Sequence, residues 1–371
     1  MIQKGRPDDR RAFLAVGLAG LSAAIVHGAN DASGEPLPDV DPAAGPRTVL
    51  LPGFVDLQVN GFAGVDFGDP KTTPERLLVA VRAIEKTGVT RFLATLITSS
   101  LEDFGACAKT LIRAKYPAIA GIHMEGPYIS PEDGPRGAHA RELVRGADID
   151  DFRRRQEAAE GRIVLVTLAP EVPGALRLVE HLAAAGVRVA IGHTAASPAL
   201  IADAVRAGAT LSTHLGNGCA QMLPRHPNFL WEQLAEDRLL ASFIVDGHHL
   251  PPATVKAMVR AKTPARSILV TDAIAAAGMP PGVYQLAGQK VELSPAGRVA
   301  VPGAPNLAGS ALLMNVAIGN AVRFTGLRLD DVVAMASGQP AAYLGIPTVG
   351  KVVAEWTPSS CGLRVLRVEA S

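Results

Sequence analysis

Aromatic side chains are scarce in this chain of 371 residues, 4% against 48% hydrophobic residues of all kinds, so the interior must be packed mainly by aliphatic groups. Charge of one sign is also missing. Lys and Arg number 36 and Asp and Glu 35, a formal balance of +1, which gives no electrostatic case for nucleic acid or for an acidic tail. The three cysteines, Cys107, Cys219 and Cys361, are widely spaced and odd in number. They supply neither a disulfide framework nor a paired-cysteine metal knuckle, and they suit a reducing compartment. No internal repeat or low-complexity segment is evident.

The apolar stretch from Phe13 to Val26 falls short of the roughly 20 residues that a membrane-spanning helix needs, and no membrane partner is expected. Arg10-Arg11 before that stretch and Gly28-Ala29 after it are compatible with a twin-arginine export signal. The alternation Leu21-Ser22-Ala23-Ala24-Ile25-Val26 is compatible instead with one strand of a small β appendage. That is the preferred reading, and cytoplasmic location goes with it.

What the chain does contain is a regular alternation of apolar run, loop and helix, with 37 Gly and 28 Pro to serve tight βα turns. Strands are predicted over 53–59, 90–96, 120–125, 163–168, 188–192, 210–214, 240–245 and 267–271. Helical spacing is predicted over 74–86, 101–114, 173–185, 197–207 and 252–261. Gly88, Gly186 and Gly208 stand where helix C-caps are expected. Eight such units point to a (β/α)8 barrel over a doubly wound sheet. Beyond it lie a Gly- and Pro-rich insertion at 273–310 with a hairpin near 284–301, helices over 311–324 and 330–336, and an alternating tail at 363–368. The expected division is a barrel over 51–344 and a small β appendage formed by the two termini, 1–50 and 345–371.

Polar residues crowd the predicted strand ends: Gln58 and Asn60, His123 and Glu125, His193, His214, Asp246 to His249, and Asp272. Singly each has an ordinary explanation, a hydrogen-bonded structural histidine or a helix cap. In a barrel all of them open on one rim. Glu125, His193 and His214 then offer three protein ligands and leave a position free, the pattern of a catalytic metal site. A divalent ion there would polarise a carbonyl and bring the pKa of water toward 7. His123, two residues before Glu125, is expected deeper in the barrel. Asp272 could accept and return a proton beside such an ion.

The segments LLPGFVDLQVNG (50–61), GIHMEGPYISPEDGPRGAH (121–139), TLAPE (167–171), GHT (192–194), THLGNG (213–218), IVDGHHLPP (244–252), ILVTDAIAAAG (268–278), LAGSALLM (307–314) and ASGQPA (336–341) resemble, in order, those of the N-acetylglucosamine-6-phosphate deacetylases, a family within the amidohydrolase superfamily. The resemblance implies an amidohydrolase-type (β/α)8 barrel that removes the N-acetyl group of an amino-sugar phosphate. It implies Glu125, His193 and His214 as ligands to one divalent metal, most plainly zinc, with iron, manganese or cobalt as alternatives. It implies Asp272 and His139 as catalytic residues, the latter helping to polarise the acetyl carbonyl. Asn217, Gly218, His249 and Ala308 are implied for substrate binding, and Arg225 for the phosphate held by a neighbouring subunit, hence a homodimer. Where most amidohydrolases carry His-x-His on the first strand, this chain has Gln58-Val59-Asn60, which argues against a second metal.

The chain departs from the family at Gly216-Asn217-Gly218-Cys219, where an aromatic and Asn-Ala-Met are usual, and at His226 and Asn228. Both lie in the loop expected to choose the substrate. The alternatives are another N-acyl amine, such as N-acetylgalactosamine 6-phosphate or an unphosphorylated acetamido compound, and a non-catalytic barrel that binds sugar phosphate.

Overall fold

The computed structural model describes residues 45–303 and 307–369; the twin-arginine-like segment and the alternation at 21–26 lie outside the described residues. Eight parallel strands form the central sheet: Phe54–Val59, Val89–Ile97, Ile119–Glu125, Ile163–Leu168, Arg188–Ile191, Leu211–Ser212, Leu240–Ile244 and Ser267–Val270. Each pairs in parallel with the next in sequence, and helices cross over between most of them. Both faces of such strands are buried, which is why they read as near-continuous apolar runs. The chain is thus a (β/α)8 barrel.

The first and last strands meet at a seam that carries little regular ladder. It is closed by single bonds instead: Asp272 N–H to the Gln58 carbonyl at 3.0 Å and Asn60 N–H to the Ala273 carbonyl at 2.7 Å. Lower down, the buried Asp56 carboxylate accepts from the Thr271 hydroxyl at 2.6 Å and from Thr271 N–H at 3.3 Å. The barrel interior holds a polar layer beneath the rim, in which His123 meets Thr167 at 2.7 Å and Thr95 at 3.3 Å. His123 is therefore packed inside the barrel, as expected of its deeper position.

The termini of the described chain come together. Arg47–Pro52 pairs antiparallel with Lys351–Thr357, which pairs antiparallel with Gly362–Glu369, making a separate three-stranded sheet. The insertion after the eighth strand forms a second small sheet from Gly282–Leu286, Gln289–Leu293 and Val299–Ala300. Its turn is tied to the barrel by Asp66, whose carboxylate accepts from Ala287 N–H at 2.6 Å and from Gly68 N–H at 2.8 Å. Helices over Ile149–Ala158, Phe229–Ala235 and Gly338–Leu344, together with the short hairpin at Gly61–Asp66, add to the elements expected from the sequence. Among the described residues no helix is long and apolar enough to cross a membrane.

Burial pushes the Asp56 carboxyl up to about 7, against the pull of its bonds to Thr271 and Gln58. The folded protein therefore holds a proton between about pH 4 and 7 that the unfolded chain releases, so ionisation costs stability as pH rises through that window. In urea titrations, wild type should lose roughly 2 kcal/mol relative to Asp56→Asn between pH 5 and pH 8. A stability difference that does not change with pH would refute this account.

Candidate active site

Three residues at the rim adopt positive φ although none is glycine: His193 at 51°, His214 at 29° and Asp272 at 50°. This is the left-handed region that β-carbon-bearing residues avoid, and it persists only where the surroundings enforce it. All three stand two residues past a strand end, where the backbone turns sharply over the barrel mouth. Glycines make room for the result. A β-carbon on Gly218 would lie 2.8 Å from His193 Nδ1, and one on Gly137 would lie 3.2 Å from the Cε1 of the same ring. Gly216 and Gly218 themselves have φ of 94° and 56°, a backbone that glycine adopts without strain.

Glu125, at the end of the third strand, is buried and central. Its Oε1 lies 3.1 Å from His193 Nε2, 3.0 Å from His214 Nε2 and 3.0 Å from Gln58 Nε2. The ligand atoms of Glu125, His193 and His214 all fall within 4.8 Å of one another. His193 Nδ1 is 2.8 Å from the Pro135 carbonyl, which can only accept, so Nδ1 carries the hydrogen and a neutral ring points its Nε2 lone pair at a carboxylate oxygen. Two acceptors facing each other at that distance repel unless a cation lies among them. The donor set therefore fits a divalent metal. Burial opposes a charge on Glu125, but the closeness of the His193 and His214 imidazoles holds its carboxyl well below the usual range.

Asp272 closes the eighth strand, and its carboxylate is held by amides: Gln58 Nε2 at 3.0 Å and Asn60 Nδ2 at 2.7 Å, both to Oδ1. It makes no helix-cap bond among the described residues, so the cap explanation fails. Burial first, then the negative charge of Glu125, push it up to about 6. One amide group of Gln58 thus bridges the two carboxylates. Asn60 Oδ1 is buried with no partner among the described residues. These two amides were legible in the sequence only as poor metal ligands. Their hold on Glu125 and Asp272 joins strands that are far apart in sequence.

His139 sits beside the triad, its ring centroid 4.3 Å from that of His193. Its Nδ1 takes the Thr98 hydroxyl at 2.7 Å and Thr98 N–H at 3.4 Å. A backbone N–H can only donate, so Nδ1 is the acceptor and the neutral ring carries its hydrogen on Nε2. Burial drives the imidazolium pKa down to about 3, and the ring stays neutral. Thr98 went unmarked in the sequence, although it is one more polar residue at a strand end. His249 is oriented in the opposite sense. Its Nδ1 lies 2.7 Å from Asp246 Oδ2, so Nδ1 carries a hydrogen and, in the neutral ring, Nε2 is an acceptor.

These groups line one cavity of about 550 Å³, together with Asn217, Gly218, Cys219, Leu223, Leu286, Leu307 and Ala308. Asn217 Nδ2 and N–H both turn back to the His214 carbonyl, at 3.2 and 3.0 Å. Arg225 is exposed and outside the cavity wall. Nearby, Met222 and Trp231 are 89% and 52% exposed.

Residues 49–355 match the amidohydrolase family. The chain is 35% identical over 321 residues to an N-acetylglucosamine-6-phosphate deacetylase of Bacillus subtilis, covering 82% of this chain and 79% of that protein. It is 33% identical over 320 residues to an N-acetylgalactosamine-6-phosphate deacetylase of Escherichia coli O157:H7, with 85% and 83% covered. The crystal structure of an N-acetyl-D-glucosamine-6-phosphate deacetylase from Mycobacterium smegmatis superposes with a TM-score of 0.79 at 34% identity, covering 86% of each chain. With the fold, the order of its motifs and the buried Glu-His-His cluster in agreement, the chain belongs to the amidohydrolase family.

Proposed function

We propose that this enzyme removes the N-acetyl group of N-acetylglucosamine 6-phosphate, yielding glucosamine 6-phosphate and acetate. The observation that carries the reading is the set of four groups on one cavity floor: the Glu125–His193–His214 cluster, Asp272 joined to it through Gln58, and His139 with its Nε2 hydrogen free. Relatives in two kingdoms bear the same activity in their names, including the human protein at 35% identity over 313 residues.

Glu125, His193 and His214 would hold one divalent ion, zinc in this reading, which supplies a Lewis acid for the acyl carbonyl and acidifies water. His139 donates from Nε2–H to the carbonyl oxygen as negative charge develops there, and its neutrality keeps that hydrogen bond available across the physiological range. Asp272 takes the proton of the attacking water and passes it to the departing amine, so that one group serves as base and then acid. Gln58 and Asn60 hold Asp272 in place, and donation by Gln58 to both carboxylates eases the repulsion between Asp272 and Glu125.

Substrate contacts follow from the remaining wall. His249 Nε2 accepts from a sugar hydroxyl, while Asn217, the N–H of Gly218 and the Ala308 segment border the sugar and its phosphate. Arg225 serves the phosphate bound by a second copy in a homodimer, its planar fork suited to that anion. A cytoplasmic location fits a phosphorylated substrate. The E. coli relative favours a second reading, N-acetylgalactosamine 6-phosphate, and the loop at Gly216–Asn228 would make that choice.

Metal-loaded protein should release acetate from N-acetylglucosamine 6-phosphate, lose that activity on chelation and regain it with zinc. The unphosphorylated sugar should react poorly. Full metal occupancy without turnover of any acetamido sugar phosphate would overturn the reading. Asp272→Asn should lower kcat by roughly 10²- to 10⁴-fold while metal content, read by elemental analysis, stays at wild-type level. Gln58→Ala should weaken metal binding roughly 10- to 100-fold in competition titrations, the usual effect of removing a group that orients a ligand. Wild-type affinity in that variant would remove Gln58 from the account.

A further inference from the structure

His193 keeps a positive φ of 51°, and a residue with a β-carbon stays in that region only where its surroundings enforce it. Before the turn, the barrel ladder supplies the hold. Gly192 N–H donates to the Leu168 carbonyl at 3.1 Å, and the Ile191 carbonyl accepts from Thr213 N–H at 2.9 Å. At the turn itself, the His193 carbonyl accepts from Ser130 N–H at 3.0 Å, and the ring meets the Pro135 carbonyl through Nδ1. After it, neither strand nor helix follows until Pro198. That stretch is held by a side chain from the neighbouring loop, Glu171.

Glu171 ends the segment TLAPE, between the fourth barrel strand and the helix Ala175–Ala184. Both of its carboxylate oxygens are engaged. Oε2 accepts from the Thr194 hydroxyl at 2.5 Å and Oε1 from Ala195 N–H at 2.6 Å, lengths typical of bonds to an ionised acceptor. The Thr194 hydroxyl oxygen accepts in turn from Ala196 N–H at 3.0 Å. One carboxylate thus fixes the three residues that follow His193. Glu171 lies outside the wall of the 550 Å³ cavity, so it acts only through the turn. We infer that Glu171 is a positioning residue for His193: it holds the left-handed turn in the form that aims Nε2 at the Glu125 carboxylate, so less of the ion's binding energy is spent on ordering the site. This role rests on the reading above in which Glu125, His193 and His214 hold the metal.

The test titrates metal-free protein with zinc against a competing chelator, for wild type, Glu171→Ala, Glu171→Gln and Thr194→Val, with a thermal melt of each. Glu171→Ala should bind zinc roughly 10- to 100-fold more weakly, the usual loss when a group that orients a ligand is removed. With zinc in excess its kcat should return to near the wild-type value, because Glu171 touches no reacting atom. Glu171→Gln keeps an oxygen for Ala195 N–H and should recover most of the affinity. Thr194→Val removes the hydroxyl bond alone and should fall between wild type and Glu171→Ala. Wild-type zinc affinity in folded Glu171→Ala overturns the role, since a merely structural residue would lower the melting temperature and leave affinity alone. Equal losses in Glu171→Gln and Glu171→Ala also overturn it. Should Glu171→Ala not fold, wild-type affinity in Thr194→Val overturns it instead. Failure of wild type itself to bind zinc overturns the metal reading together with this role.

Discussion

One oxygen atom organises the site. Glu125 Oε1 stands 3.0–3.1 Å from two imidazole nitrogens and the Gln58 amide, on a carboxylate sealed from solvent. A buried charge is tolerable only where every neighbour answers it. Around this one the answers reach outward in order. Pro135 sets the tautomer of His193, Gly137 and Gly218 make room for its ring, and Gln58 carries the arrangement across to Asp272. A divalent cation among these donors would complete the balance of charge that the protein atoms leave open.

That cluster sits where barrel closure puts it. The seam between the first and eighth strands runs directly beneath Gln58, Asn60, Thr271 and Asp272, and side chains close it where the backbone ladder is thin. The groups that close the barrel and those that border the cavity thus share the same two strands. Burial is the main cause that lifts Asp56, and the negative charge of Asp272 adds to it. Positive φ at His193, His214 and Asp272 adds local strain at the same rim, the usual place for it in an enzyme.

Much of this was legible from residue order. The eight strands came within a few residues of their observed bounds because both-faces burial leaves an unmistakable apolar run. The helix Ile149–Ala158 did not, for a physical reason. Its inner face carries Asp151 and Arg155 beside Phe152. Asp151 Oδ2 takes both Arg155 Nε at 2.9 Å and the Tyr128 hydroxyl at 2.7 Å. A helix that buries an ion pair shows no apolar stripe. Phe229–Ala235 and Gly338–Leu344 are too short for periodicity to register, and the second contains both Gly and Pro.

The sequence by itself determined the barrel, the rim on which its polar residues collect, and the identity of the Glu-His-His cluster, since strand ends of a parallel barrel share one face whatever the loops do. It could not say that Gln58 bridges Glu125 and Asp272, or that Thr98 sets the tautomer of His139. Those facts depend on contacts between strands and hairpins 40 to more than 200 positions apart, and only closure of the barrel brings such groups within hydrogen-bond reach.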